Sequence, residues 1–87
     1  MAVLFRATGI PSKNMYEQVV SQVRDKLVRA PGFIAHGAGP ADGAYQVVEF
    51  WESRADIERW LDEDIRPLMP PGVQPQFEFE ELDSVFR

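Results

Sequence analysis

His36 is the sole histidine of this 87-residue chain, and the one side chain whose ordinary titration range lies near neutrality. That makes it the candidate general base. Ala35, Gly37, Ala38 and Gly39 around it are small and leave room for a substrate beside the ring. Its plausible companion is Glu49, a carboxylate flanked by Val47, Val48, Phe50 and Trp51. Burial among those side chains disfavours a charged carboxylate, whereas pairing with His36 or Arg6 favours one. Two roles stay open. Glu49 orients His36 and stabilises its protonated form, as the acid of a nucleophile–base–acid triad does, or the two make a structural ion pair at a subunit interface. His36 alone also reads as a hydrogen-bonded or solvent-facing strand residue. One histidine beside one glutamate is too few ligands for a metal site. With no cysteine in the chain, thiolate sites, disulfides and a cysteine nucleophile are excluded as well. No metal or cofactor is expected.

Aromatic side chains supply candidate walls for a substrate pocket: Trp60 and Tyr45 first, then Tyr16, Phe5 and Phe79. Each serves equally well as core packing. Arg66, one residue before Pro67, is a candidate contact for an anionic substrate oxygen, and otherwise a solvated charge at a helix end. No glycine-rich loop has the spacing of a phosphate site, since Gly37-Ala38-Gly39 precedes a turn and not a helix. Ser12, Ser21, Ser53 and Ser84 lack the context of a nucleophile elbow.

The elements that must position these groups are legible in the hydrophobic pattern. Ala2 to Thr8 alternates as a strand and ends at Gly9-Ile10-Pro11. Asn14 followed by Glu17 resembles a capping box, opening a helix with Tyr16, Val19, Val20, Val23 and Leu27 on one stripe, stopped by Pro31-Gly32. Phe33 to Ala38 is the second strand, and Gly39-Pro40-Ala41-Asp42-Gly43 the turn after it. If Asp42-Gly43 makes a two-residue hairpin turn, opposed positions sum to about 85, which sets His36 across from Glu49. The third strand, Tyr45 to Trp51, has Tyr45, Val47 and Trp51 on one face and Val48 and Phe50 on the other, so both faces read as buried. Ser53 with Asp56 starts a second helix whose stripe is Ile57, Trp60, Leu61, Ile65 and Leu68, ended by Pro67 and Pro70-Pro71-Gly72. Phe77-Glu78-Phe79-Glu80 alternates, then loses phase at Glu81-Leu82, through a bulge or a departing C-terminal arm that carries Val85 and Phe86. The order β-α-β-β-α-β predicts an α+β, ferredoxin-like domain over residues 1–87, with an antiparallel four-stranded sheet and both helices on one face.

Pro31-Gly32-Phe33, Glu49-Phe50-Trp51-Glu52-Ser53 and Ile57-Glu58-Arg59-Trp60-Leu61 together resemble the antibiotic-biosynthesis-monooxygenase group of the dimeric α/β-barrel superfamily. The resemblance covers nearly the whole chain and rests on largely structural motifs. It implies a homodimer packed sheet against sheet, and a pocket between sheet and helices. Group members include cofactor-independent monooxygenases of polyketide quinone formation, haem-degrading enzymes and polyketide cyclases. The haem-degrading branch carries an asparagine on the first strand, a tryptophan in the second helix and an iron-binding histidine near that helix's end. Here the tryptophan matches as Trp60, while the other two positions fall on Ala7 and on Met69 or Pro70. Lacking the axial ligand, the chain is not expected to use haem.

A formal net charge of -5, with acidic residues spread from Glu49 to Asp64 and from Glu78 to Asp83, repels phosphate backbones and argues against nucleic-acid partners. A 45% hydrophobic fraction suits a globular domain, and one this small gains from dimerisation. Met1-Ala2-Val3-Leu4-Phe5-Arg6 lacks the features of a signal peptide and no apolar run reaches membrane-spanning length, so a cytoplasmic protein without a membrane partner is expected. The resemblance and the candidate residues together imply a small dimeric enzyme that acts on an aromatic or polyketide-like molecule. As a cofactor-free monooxygenase it would abstract a proton and let the resulting anion react with oxygen. The alternatives are a cyclase or aldol-type enzyme using the same proton abstraction, and a non-catalytic dimer that binds a small apolar molecule.

Overall fold

The computed structural model describes residues 2–86, so Met1 and Arg87, the ends of the expected domain, lie outside the described residues. Its elements are β1 (Ala2–Ile10), α1 (Lys13–Leu27), β2 (Phe33–Ala41), β3 (Ala44–Trp51), α2 (Arg54–Trp60) and β4 (Gln76–Leu82). A π-helical turn over Leu61–Ile65 and a 3-10 turn over Arg66–Leu68 continue α2. The sheet is antiparallel throughout, in the order β2-β3-β1-β4, as the ferredoxin-like plan requires. Among the described residues, no helix is long and apolar enough to cross a membrane.

The β2–β3 turn sets the register that matters most. β2 runs three residues beyond the expected Ala38, so the turn contracts to Asp42 and Gly43, at φ of 49° and 77°. Two successive left-handed residues suit the right-handed twist of a hairpin, and Asp-Gly tolerates them. From Ala41↔Ala44 to His36↔Glu49 the pairing then proceeds without a slip. The irregularity falls farther on, between Phe33 and Ala35.

Other boundaries differ from expectation for identifiable reasons. Ser12 and not Asn14 caps α1: its backbone is extended, and its hydroxyl accepts the Met15 amide at 3.1 Å. Asn14 lies within the first turn. Gly9 does not end β1 but carries a bulge at φ 77°, beyond which Ile10 pairs with Tyr45 and is buried. β4 holds one register against β1 from Thr8↔Gln76 to Ala2↔Leu82, so no bulge lies at Glu81-Leu82; the chain departs there, and Phe86 is 91% exposed. Ser53 caps α2 as expected, accepting the Asp56 amide at 3.2 Å and donating to its carboxylate at 2.8 Å. Gly32, at φ 84°, lies so close to that carboxylate that a Cβ there would collide with Asp56. Pro67 was expected to end α2 by removing an amide donor, and instead the helix loosens to π and 3-10 turns around it.

The two faces of the sheet differ. On the helix side, Val3, Phe5 and Ala7 of β1 and Val47 and Trp51 of β3 pack against Val23 and Leu27 of α1 and Ile57, Trp60 and Leu61. On the other side Leu4, Val48 and Phe50 adjoin through the pairs Leu4↔Phe50 and Arg6↔Val48, are half-buried, and among the described residues belong to no part of the hydrophobic core. The expectation that both faces of β3 are buried therefore holds within the chain for one face alone.

Candidate active site

A mostly apolar cavity of about 90 Å³ lies between the helix side of the sheet and the helices. Phe5 and Val47 form its floor, Val20 of α1 and Trp60 and Ile65 of the second helical segment its walls. Met15 and Met69 also line it and are half-exposed, which puts flexible thioether side chains at its rim. Tyr16, His36 and Glu49 bring polar atoms to this lining.

Those three groups and Trp51 form one hydrogen-bonded chain. Glu49 is 4% exposed, and one carboxylate oxygen accepts the Trp51 indole N–H at 2.9 Å while the other stands 2.6 Å from His36 Nδ1. A carboxylate only accepts, so Nδ1 carries a proton, and in the neutral imidazole that leaves Nε2 as the acceptor. The Tyr16 hydroxyl, 2.6 Å away, then donates to Nε2. The Tyr16 and His36 rings are nearly parallel, 15° apart in plane with centroids 5.8 Å apart. Two links follow from strand geometry and the third from how α1 packs on the sheet. Glu49 and Trp51 stand two apart on one face of β3, His36 faces Glu49 through the hairpin register, and Tyr16 reaches down from the start of α1. Among the described residues, no buried side-chain nitrogen or oxygen lacks a partner.

Electrostatically the outer end of the chain is a neutral phenol. Burial pushes the Tyr16 hydroxyl above its ordinary value of 10.0, and the nearby Tyr45 and Glu49 raise it further against the opposing pull of Arg24. Among the described residues no group of three or more His, Cys, Asp or Glu side chains gathers as a metal site would require.

The structure brings His36, Glu49, Tyr16, Phe5 and Trp60 to one cavity. Tyr45 stands behind it, its ring 5.2 Å from that of Tyr16 at 42°. Phe79 packs on Phe5 at 5.4 Å beneath the Arg54 guanidinium, which lies 4.0 Å from its ring, and does not line the cavity. Arg66 is turned to solvent, where it pairs with Asp62 at 3.1 Å and lies over Phe77. Arg6 faces the opposite side of the sheet near Glu78, so of the two expected ionic partners His36 is the one that pairs with Glu49. Sequence reasoning missed two links. Trp51 was readable as a donor, because positions two apart on a strand share a face. Tyr16 as the partner of His36 had no sequence signal, since a helix-to-sheet contact twenty residues away has no local pattern.

No family model and no curated protein matches this chain. Solved structures do. SnoaB, a cofactor-independent oxygenase from Streptomyces nogalater, aligns with a TM-score of 0.62 at 15% identity over 97% of this chain and 93% of its own. A Bordetella bronchiseptica protein provisionally assigned as an antibiotic biosynthesis monooxygenase gives 0.61 at 20% identity, over 93% and 96%. The haem-degrading protein Rv3592 of Mycobacterium tuberculosis gives 0.62 at 18%, over 99% and 94%. Near-complete coverage at such low identity speaks to architecture: this chain carries the fold of the antibiotic-biosynthesis-monooxygenase type.

Proposed function

We propose that this protein is a small enzyme that abstracts a proton from a single-ring hydroxyaromatic or enolic molecule, and that the electron-rich anion so formed reacts directly with dioxygen. In such a monooxygenation a ring methylene becomes a carbonyl, one oxygen atom stays in the product and the other leaves as water. The observation that supports this reading is the hydrogen-bonded chain leading from an apolar cavity to a buried carboxylate. An apolar cavity limits water around the anion, and the Glu49 carboxylate stabilises the imidazolium that holds the abstracted proton. SnoaB, a cofactor-independent oxygenase of the same fold, lends the oxygen step its plausibility.

Cavity size narrows the substrate class. At about 90 Å³ it is smaller than the roughly 150 Å³ cavity that holds one benzene, so a single ring reaching out past Met15 and Met69 suits it better than a fused polyketide. Haem does not fit the residues present. The one histidine has both ring nitrogens engaged by Glu49 and Tyr16, and the cavity is far smaller than a porphyrin.

A second copy of the chain is the proposed cover for the apolar patch of Leu4, Val48 and Phe50, giving a homodimer packed through the sheets. Oxygen consumption with a panel of single-ring hydroquinone precursors, measured above the protein-free rate, tests the activity. Uptake that disappears in His36→Ala while the far-ultraviolet spectrum of the fold is kept supports the reading. Turnover without oxygen uptake would favour the cyclase alternative, and binding without turnover the non-catalytic one.

A further inference from the structure

His36 is the obvious base, yet neither of its nitrogens is free. Nδ1 is committed to Glu49 and Nε2 to the Tyr16 hydroxyl, each at 2.6 Å. A substrate entering the cavity meets the chain at its outer end, where the Tyr16 oxygen keeps lone pairs that the donation to Nε2 does not use. Tyr45 packs against the Tyr16 ring, and the near-parallel planes of Tyr16 and His36 hold the phenol on the imidazole.

We propose that Tyr16 is the catalytic residue that touches the substrate hydroxyl and relays its proton to His36, which itself never contacts the substrate. The relay rests on the proton-abstraction reading above and balances as follows. The substrate O–H bond breaks as a new O–H bond forms on Tyr16, and the original Tyr16 O–H bond breaks as an N–H bond forms at His36 Nε2. The bonding pair stays on the substrate oxygen as a phenolate or enolate. The positive charge rests on the imidazolium, beside the Glu49 carboxylate. Tyr16 begins and ends neutral, in keeping with a half-buried phenol that resists ionisation. After transfer its hydroxyl donates to the substrate anion, so one side chain both passes the proton and stabilises the charge left behind.

The test uses 4-nitrophenol, a single-ring probe whose visible absorption separates phenol from phenolate. Wild-type protein is expected to bind it with the phenolate fraction raised over that of free probe at the same pH. In Tyr16→Phe, which keeps the ring and its packing, the bound phenolate-to-phenol ratio should fall about tenfold or more, the worth of one hydrogen bond to a charged group. His36→Ala should abolish the enrichment altogether. Enrichment retained in Tyr16→Phe would overturn the relay and make His36 the direct base, leaving the proposed function standing. No enrichment in the wild type would count against proton abstraction itself, and the relay would fall with it. Nitrogen NMR of the single imidazole gives a second reading without any variant: Nδ1–H with Nε2 as acceptor is expected, and the Nε2–H tautomer would overturn the relay.

Discussion

The two faces of β3 follow one alternating pattern and end in opposite conditions. On the helix side Val47, Glu49 and Trp51 are buried, and the one carboxylate among them is held by two donors. On the far side Gln46, Val48 and Phe50 are half-exposed, beside Leu4 and with the charged pair Arg6–Glu78 along one flank. One face is complete within the chain and the other is not. The difference teaches that apolar alternation reports burial without naming what does the burying. A carboxylate inserted among the buried positions of such a run marks the face where the chain itself supplies the partners, because without them it is too costly to keep.

The sharpest way to break this contrast separates the charge of Glu49 from its shape. In Glu49→Gln the amide carbonyl can still accept from Trp51 while the amide NH₂ donates to Nδ1, which flips the imidazole tautomer. Stability should stay within about 1 kcal/mol of wild type, whereas turnover of any substrate found should drop on the order of 10²–10⁴-fold. Paired urea melts and oxygen-uptake rates measure the two effects, and an equal loss in both would mean that Glu49 is structural. Glu49→Ala removes the acceptor and orphans both Trp51 Nε1–H and His36 Nδ1–H. It should cost about 3 kcal/mol in the same melts.

The opposite face predicts a change in assembly with little change in the fold. Phe50→Glu is expected to shift sedimentation from a dimer to a monomer with an unchanged far-ultraviolet spectrum, and a wild-type protein that sediments as a monomer at micromolar concentration would remove the proposed cover. Gly43→Ala probes what keeps the two faces from exchanging. With φ at 77° it should lose about 1 kcal/mol in thermal melts, because a Cβ is strained in that conformation; the turn matters since a one-residue slip of this hairpin would turn Glu49 to the outside.

The smallest effect is a pH signature. The chain has two tyrosines, so Tyr45→Phe leaves Tyr16 as the sole phenol, and its absorbance titration should have a midpoint above 10.0. A folded phenol that holds its proton more tightly than the unfolded one makes stability fall as pH rises from the ordinary tyrosine range until the folded phenol ionises. Below that range the group should contribute no slope.

Much of the architecture was readable because it rests on short-range chemistry. Asp42-Gly43 specified a hairpin, the hairpin specified a register, and the register set His36 opposite Glu49 before any tertiary contact was considered. Ser53 with Asp56 marked the start of α2 by the same kind of local bonding. Boundaries were misread where two signals competed. Asn14 with Glu17 looked a better cap than Ser12, but the extended backbone after Pro11 let the serine hydroxyl reach the third amide first. Pro67 read as a plain stop to α2, and instead the helix widened into a π turn that brings Ile65 to the cavity.

The candidate site divides along the same line. By itself the sequence determined that a histidine and a carboxylate share a sheet face, since turn geometry and the two-residue period of a strand are backbone properties spanning a dozen positions. Only the tertiary structure decided that Tyr16 closes over His36, that Trp51 anchors Glu49 from beside it, and that Arg66 and Phe79 stay outside the cavity. Those outcomes depend on how α1 and the loosened second helix settle on the sheet, which is set by the summed packing of many side chains and by no pair of residues near in sequence.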